Sequence, residues 1–218
     1  SVLHYFMVQP SIQSPKDLKG KKVAVGGLGG PNMAAARASI KFLGLDPDKD
    51  VTYIVIGAAS IRMAAMESGS IDASMMPAPW NVRMRQKGFK ELVFAGNVIS
   101  DPLNGIVTGR ERVEKNTTQV KKVLRGFLRS LKAVRTEKKD VSEFIPRKFN
   151  LDARAAEEVY TTLIQTLTED GTVSDQLLQE QLEMIKREGG IKREVVVGEI
   201  VDYRLLREVA RELDGSSR

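Results

Sequence analysis

The first hundred residues alternate between short apolar runs that read as strands and amphipathic stretches that read as helices, and glycines punctuate the changes. Lys22-Val23-Ala24-Val25 reads as a short buried strand, stopped by Gly26-Gly27-Leu28-Gly29-Gly30. Pro31 suits the first turn of a helix, where its missing N–H costs nothing. Met33, Ala36, Ile40 and Leu43 then recur at helical spacing, and Gly44 closes the helix. A strand over 51–56 follows, then a helix over 60–68 with Ser60 as N-cap and Gly69 as stop. A strand over 71–76, a helix over 77–86 stopped by Gly88, and a strand over 92–95 complete the series. Ahead of it lie an apolar run over 2–8 and a polar turn over 16–20. This rhythm predicts an α/β fold, a parallel or mostly parallel sheet covered by helices.

The second half changes character. Over 118–135, Val120, Val123, Leu124, Phe127, Leu128, Leu131 and Val134 form one apolar stripe, which predicts an amphipathic helix. Stretches 141–149, 152–167, 174–188 and 203–213 also read as helices, with Asp152 and Ser174 placed as N-caps. Charge is uneven: the chain is +6 overall, yet residues 110–148 carry 13 basic and 5 acidic groups. Lys121, Arg125, Arg129 and Lys132 would line the face opposite the apolar stripe. No aromatics interleave with them and no reader motif accompanies them, so a solvated face is expected and no nucleic-acid partner.

Composition removes several chemistries. The 218 residues include no Cys and one His. Thiol nucleophiles, disulfides, zinc ribbons and multi-histidine metal sites are therefore excluded within one chain. No cofactor and no metal is expected. With 42% hydrophobic and 28% charged residues, the chain has the make-up of a globular protein, and no apolar run approaches a membrane span.

Four local features invite a chemical reading. The turn Gly26 to Asn32 joins a strand to a helix, so its free amides and the helix dipole offer an anion seat; it equally reads as a tight turn. A dinucleotide fingerprint would need Gly where Asn32 stands, and a phosphate loop would need Gly-Lys-Ser/Thr, so nucleotide binding is discarded. Met76-Pro77-Ala78-Pro79-Trp80-Asn81 is a rigid corner holding the only Trp, which reads as a core plug or as a flat wall for a ligand. Asp46-Pro47-Asp48-Lys49-Asp50 lacks the Gly and Glu of a calcium loop, since Val51 and Gly57 stand there, and reads as a solvated turn. His4, between Leu3 and Tyr5, reads as a structural histidine.

Residues 12–109 resemble a known family. Asp17-Leu18-Lys19-Gly20-Lys21-Lys22-Val23-Ala24-Val25 is similar to a segment of the periplasmic solute-binding proteins of ABC transporters, in the group for nitrate, sulfonate, taurine and thiamine-pyrimidine-type ligands. Leu43-Gly44-Leu45-Asp46-Pro47 with Asp50-Val51, then Met63 through Ala73, then Pro79 and Gly88-Phe89, continue that resemblance in order and spacing.

The resemblance implies a periplasmic-binding-protein-like (type 2) fold, two α/β lobes closing on a ligand. Residues 15–109 would be the second lobe, 1–14 a remnant of the first lobe or hinge strand, and 110–218 a helical part returning toward the first. Most of the family's first lobe precedes the equivalent of Asp17, so here it is expected to be reduced, supplied by a partner, or outside this chain. The resemblance also implies ligand contacts from Gly29, Gly30, Pro31 and Asn32, from the Ser60 turn, from Met76, Pro77, Pro79 and Trp80, and from the extended piece 101–107 with Asn104.

The expected function is non-catalytic binding of a small anionic or polar organic solute for an ABC importer, with its permease as partner and a periplasmic or extracellular location. A ligand-sensing effector domain of the same fold is the alternative. An enzyme would need carboxylate or Lys chemistry, for which Asp72 is the one acid expected at a strand end beside the cleft. A fungal branch of the same superfamily makes the thiamine pyrimidine, but it carries a cysteine cluster that this chain lacks.

Overall fold

The computed structural model describes residues 3–100, 104–187 and 193–215. The chain divides into two compact units, Ser1–Leu103 with Pro146–Thr166, and Asn104–Ile145 with Leu167–Arg218. These units part at 103/104, 145/146 and 166/167. Residues 3–14 belong to the same unit as the sheet, and so does a helical segment after Pro146.

The first unit is built on five strands, β1 His4–Val8, β2 Lys21–Val25, β3 Val51–Val55, β4 Ala73–Pro77 and β5 Lys90–Phe94. Their order across the sheet is β3-β2-β4-β1-β5. Strand β2 pairs in parallel with β3 and β4, whereas β1 lies antiparallel between β4 and β5. Four strands thus run one way and β1 alone runs back, as the mostly parallel expectation requires. Three helices connect them, α1 Pro31–Phe42, α2 Ala59–Glu67 and α3 Trp80–Gln86.

Alternation along the strands sends side chains to two cores. On one face Phe6, Val8, Val23, Val25 and Met75 pack with Met33, Ala36 and Ile40 of α1. On the other Tyr5, Met7, Ala24 and Met76 pack with Met63 and Met66 of α2 and Met84 of α3. The apolar runs read from the sequence are buried on both sides because helices cover both faces.

Helix α1 ends as its glycine predicts. Gly44 has φ of 81°, its N–H bonds the Lys41 carbonyl, and the Leu45 N–H bonds the Ile40 carbonyl. This paired closure needs a left-handed residue, which glycine supplies without a Cβ clash. The helices before Gly69 and Gly88 close in the same way. Some starts differ from the reading. Helix α2 begins at Ala59 after Ala58, so Ser60 sits inside the first turn and caps nothing. Pro77 ends β4 instead of opening α3.

Helix α6 Lys138–Phe149 passes from the second unit into the first, where α7 Ala153–Thr166 follows. Asp152 caps α7, its Oδ1 accepting the Ala155 N–H at 2.8 Å. Arg85 holds the segment to the sheet unit by pairing with Glu91 at 2.5 Å and with Glu158 of α7. Arg83 donates to the Phe149 carbonyl.

The second unit is helical: α4 Arg110–Lys115, α5 Thr117–Thr136, most of α6, α8 Asp175–Arg187, α9 Val197–Ile200 and α10 Arg204–Gly215. Ser174 caps α8 through the Leu177 N–H at 3.3 Å. The short helices α4 and α9 escaped the sequence reading because neither spans two apolar turns. The basic face of α5 is not wholly solvated as expected. Lys121 bonds Glu208 at 2.7 Å and Glu212 at 3.2 Å, and Arg125 pairs with Glu212, so half of that row is matched by acids of α10. Arg129 and Lys132 are exposed.

Candidate functional site

Strand direction places the chemistry. Because β2, β3, β4 and β5 run the same way and β1 runs back, the ends of those four strands and the start of β1 share one sheet edge. The helix leaving β2 covers one face, and the helix leaving β4 covers the other. Adjacent strands whose helices depart to opposite faces open a crevice at their carboxyl ends, the usual ligand position in open α/β sheets. By that rule the strand order places the crevice between Gly26 and Pro77.

Three groups on the described residues converge there. The first is the start of α1. Gly30, with φ of 78°, is its N-cap, Pro31 opens it, no side chain caps its first amides, and no acid stands in its first turn. These amides keep their positive end of the helix dipole free for an anion.

The second is Asn32. Its Oδ1 accepts the Gly26 N–H at 2.7 Å and its Nδ2 donates to the Met75 carbonyl at 3.4 Å. One amide thus spans from the end of β2 to β4.

The third is Arg62, which no sequence argument singled out. It is only 3% exposed. Its Nη1 donates to the carbonyls of Ile56 at 2.8 Å and Gly57 at 2.7 Å. A Cβ placed on Gly26 would stand 3.4 Å from this Nη1 and 3.6 Å from the Asn32 Oδ1, so the guanidinium lies against the turn that feeds α1. Its Nε is buried without a partner. Burial lowers its pKa, and no carboxylate of the described residues offsets that; an arginine nonetheless stays charged at neutral pH. A buried cation is costly unless it is paired, so an unpaired one at a crevice marks a place where a charge is to be brought.

His4 adds a fourth polar group at the same edge, at the start of β1 and in register with Pro77. It is buried, and its Nδ1 has no partner. Burial, and then the charge of Arg62, hold its pKa down to about 4.

The residues expected to touch ligand are distributed differently. Gly29 and Gly30 are exposed and Pro31 and Asn32 half-buried at the crevice. Ser60 is exposed on the first turn of α2. Met76 is fully buried in the core beneath α2 and α3, so it belongs to packing and forms no wall. Pro77 is half-buried and Pro79, joined to Ala78 by a cis bond, is buried. Trp80 is half-buried against that same core, with the Arg83 guanidinium 5.1 Å from its ring centre. Part of the Trp80 indole thus plugs the core. Asn104 is exposed and starts the second unit, while 101–103 lie outside the described residues.

Two other features hold clustered polar groups. Asp72 precedes β4 and so lies at the opposite sheet edge, where it accepts the Lys22 N–H at 2.9 Å and pairs with Lys21 at 3.6 Å. The acid expected beside the crevice is therefore a structural clamp on the far side. In the second unit, a cavity of about 670 Å³ is lined by Arg110, Glu114, Asp175, Tyr203, Arg204 and neighbours. Its charges are mixed in sign, and Arg204 is already paired with Asp202 at 2.7 Å. Among the described residues no group of three or more His, Cys, Asp or Glu is placed to hold a metal, and no helix is long and apolar enough to cross a membrane.

The crevice and the order of the strands define a lobe of the periplasmic-binding-protein fold. The chain belongs to the NMT1-like family, whose model matches residues 7–145. It is similar to the periplasmic aliphatic sulphonate binding protein SsuA from Escherichia coli, with a TM-score of 0.62 and 18% identity over 92% of this chain and 65% of that one. The ligand binding component of an ABC-type import system from Staphylococcus aureus, solved with zinc bound, superposes with a TM-score of 0.77 at 15% identity, over 96% of this chain and 72% of that one. The desulfurization enzyme DszB, in complex with biphenyl-2-sulfinic acid, also shares the fold, with a TM-score of 0.65 and 13% identity over 97% of this chain and 76% of that one. At such identities the likeness shows the fold alone. The chain spans less than two thirds of the length of the Escherichia coli protein. No curated protein sequence matches it significantly.

Proposed function

We propose that this chain binds a small organic anion at the crevice between β2 and β4, as the solute-binding component of an ABC importer acting outside the cytoplasmic membrane, with the importer's permease as partner. One observation carries the reading: a buried guanidinium with no carboxylate partner among the described residues lies beside an uncapped helix start. Both features are satisfied by one negative group of ligand, which would be stronger in this low-dielectric edge than in water. The family and the import proteins of the same fold support a binding role, and sulfonate is the anion their names suggest first. Gly30, Pro31 and Asn32 would supply the seat, with Trp80 flanking it. Among the described residues this edge offers Arg62, His4 and amides, groups suited to holding an anion.

Isothermal titration with ethanesulfonate, small carboxylates and pyrimidines tests this. Saturable heat with an anion, lost at least tenfold in Arg62→Met and absent with neutral pyrimidines, is the expected result. Because Arg62 also pins the connection after β3, Asn32→Asp serves as the second variant: it keeps the acceptor for Gly26 and places a like charge in the seat. Absence of heat with every anion, or unchanged anion affinity in both folded variants, overturns the reading.

A further inference from the structure

Resting on that anion seat, a second residue of the first unit acquires a role. His4 and Arg62 are two buried basic groups at one sheet edge, and neither has an acidic partner among the described residues. We propose that His4 is a further binding residue of this seat, which takes up a proton when an anion settles beside Arg62.

The groups around His4 leave Arg62 as the charge that governs it. Strand β4, which pairs with it at Pro77, carries no charged residue. On β5, Lys90 and Glu91 stand opposite Val8 and Met7, at the far end of β1. On α1, Arg37 is held by Asp48 and Lys41 is exposed in the last turn. On α3, Arg83 donates to the Phe149 carbonyl and Arg85 is taken by Glu91 and Glu158. The turn Ala95–Asn97 is uncharged.

With the seat empty, burial and the guanidinium both oppose a charged imidazole. An anion beside Arg62 cancels the second effect and attracts a proton to His4. By linkage, the ligand that raises the proton affinity of His4 binds tighter when His4 is protonated. A sulfonate gains most, because it keeps its charge at acid pH; a carboxylate loses its own charge in the same range. The site would thus favour strong-acid anions as the surroundings acidify.

His4 is the only histidine of the chain, so its imidazole gives a single, unambiguous NMR signal. Its titration should be followed in the free chain, with saturating ethanesulfonate, and in Arg62→Met. The free chain should titrate near 4, ethanesulfonate should raise that value, and Arg62→Met should raise it without ligand. A rise to about 5 would tighten ethanesulfonate binding about threefold between pH 7.5 and pH 4.5, and His4→Gln should abolish that pH-dependent gain. A free-chain value near 6.5, or ethanesulfonate binding that leaves the imidazole unmoved, overturns this proposal alone. Absence of binding heat with any anion overturns it together with the anion reading.

Discussion

The Asn32 side chain holds the Gly26 amide at 2.7 Å, so the second residue of α1 fastens the end of the strand that precedes it. The glycine turn between them is thereby a closed loop. Loop closure by a short polar side chain is common in turns, but here the same amide also reaches the Met75 carbonyl of β4.

Asn32→Ala should therefore cost about 1–2 kcal/mol of unfolding free energy, the usual loss when a half-buried amide loses its partner. Asn32→Asp should cost less, since its carboxylate still accepts from Gly26 and suits a helix start. Denaturant unfolding of the two variants checks the order. Asp weaker than Ala would mean that the Asn32 Nδ2 bond to Met75 dominates.

Stability should fall as the medium acidifies through the range set by His4. The folded chain holds this imidazole near 4 and the unfolded chain near 6.5. Between these values the unfolded state binds more protons, so unfolding is favoured as pH drops. The contribution is fully present above 6.5 and is lost progressively toward 4, to an upper bound of roughly 3 kcal/mol. The difference between wild type and His4→Gln isolates it from the carboxylates. Parallel pH profiles of the two proteins between pH 4 and 7 would refute it.

Met76 tests the assignment of a side chain to core or to ligand. It is fully buried among Tyr5, Met63, Met66 and Met84. Met76→Ala should cost about 2–5 kcal/mol, as a core cavity does, with the anion affinity of the folded fraction within about twofold of wild type. Intrinsic fluorescence of Trp80, the one tryptophan, reports both unfolding and binding. A large affinity loss at unchanged stability would return Met76 to the site.

The order of strands and helices in the first unit was legible because glycines mark the helix ends and apolar runs mark the buried strands. The insertion of β1 against its neighbours was not, since a two-residue period says nothing about the partner strand. Arg62 escapes a reading that looks for ligand groups in turns and at helix caps. It lies four residues before Met66 and beside Met63, on the buried stripe of α2, where a basic residue is out of place. A charge on an apolar stripe was the available signal. Ser60 drew attention instead because caps are read from residue type, and the connection is held by the Arg62 side chain bonding two carbonyls. Likewise the pairing of Lys121 and Arg125 was available from Glu208 and Glu212, spaced four apart on the last helix.

The second unit contains a sharper packing constraint. Gly171 has φ of 78°, and a Cβ there would stand 2.8 Å from the Phe127 ring and 3.6 Å from both Leu131 and Leu206. The turn is fixed by Asp170, whose Oδ1 accepts the Thr172 N–H at 2.9 Å. An alanine would meet backbone strain and a ring contact at once, and Phe127 and Leu131 on α5 and Leu206 on α10 would have to give way together. Gly171→Ala should cost about 2–4 kcal/mol, whereas Gly198→Ala, where a Cβ meets nothing within 4 Å, should cost less than about 1 kcal/mol. Circular dichroism melts and amide exchange in α5 and α10 measure the pair. Equal melting of the two variants would mean that the turn shifts to admit the methyl group, and that the α5–α10 packing does not depend on the absence of a side chain at 171.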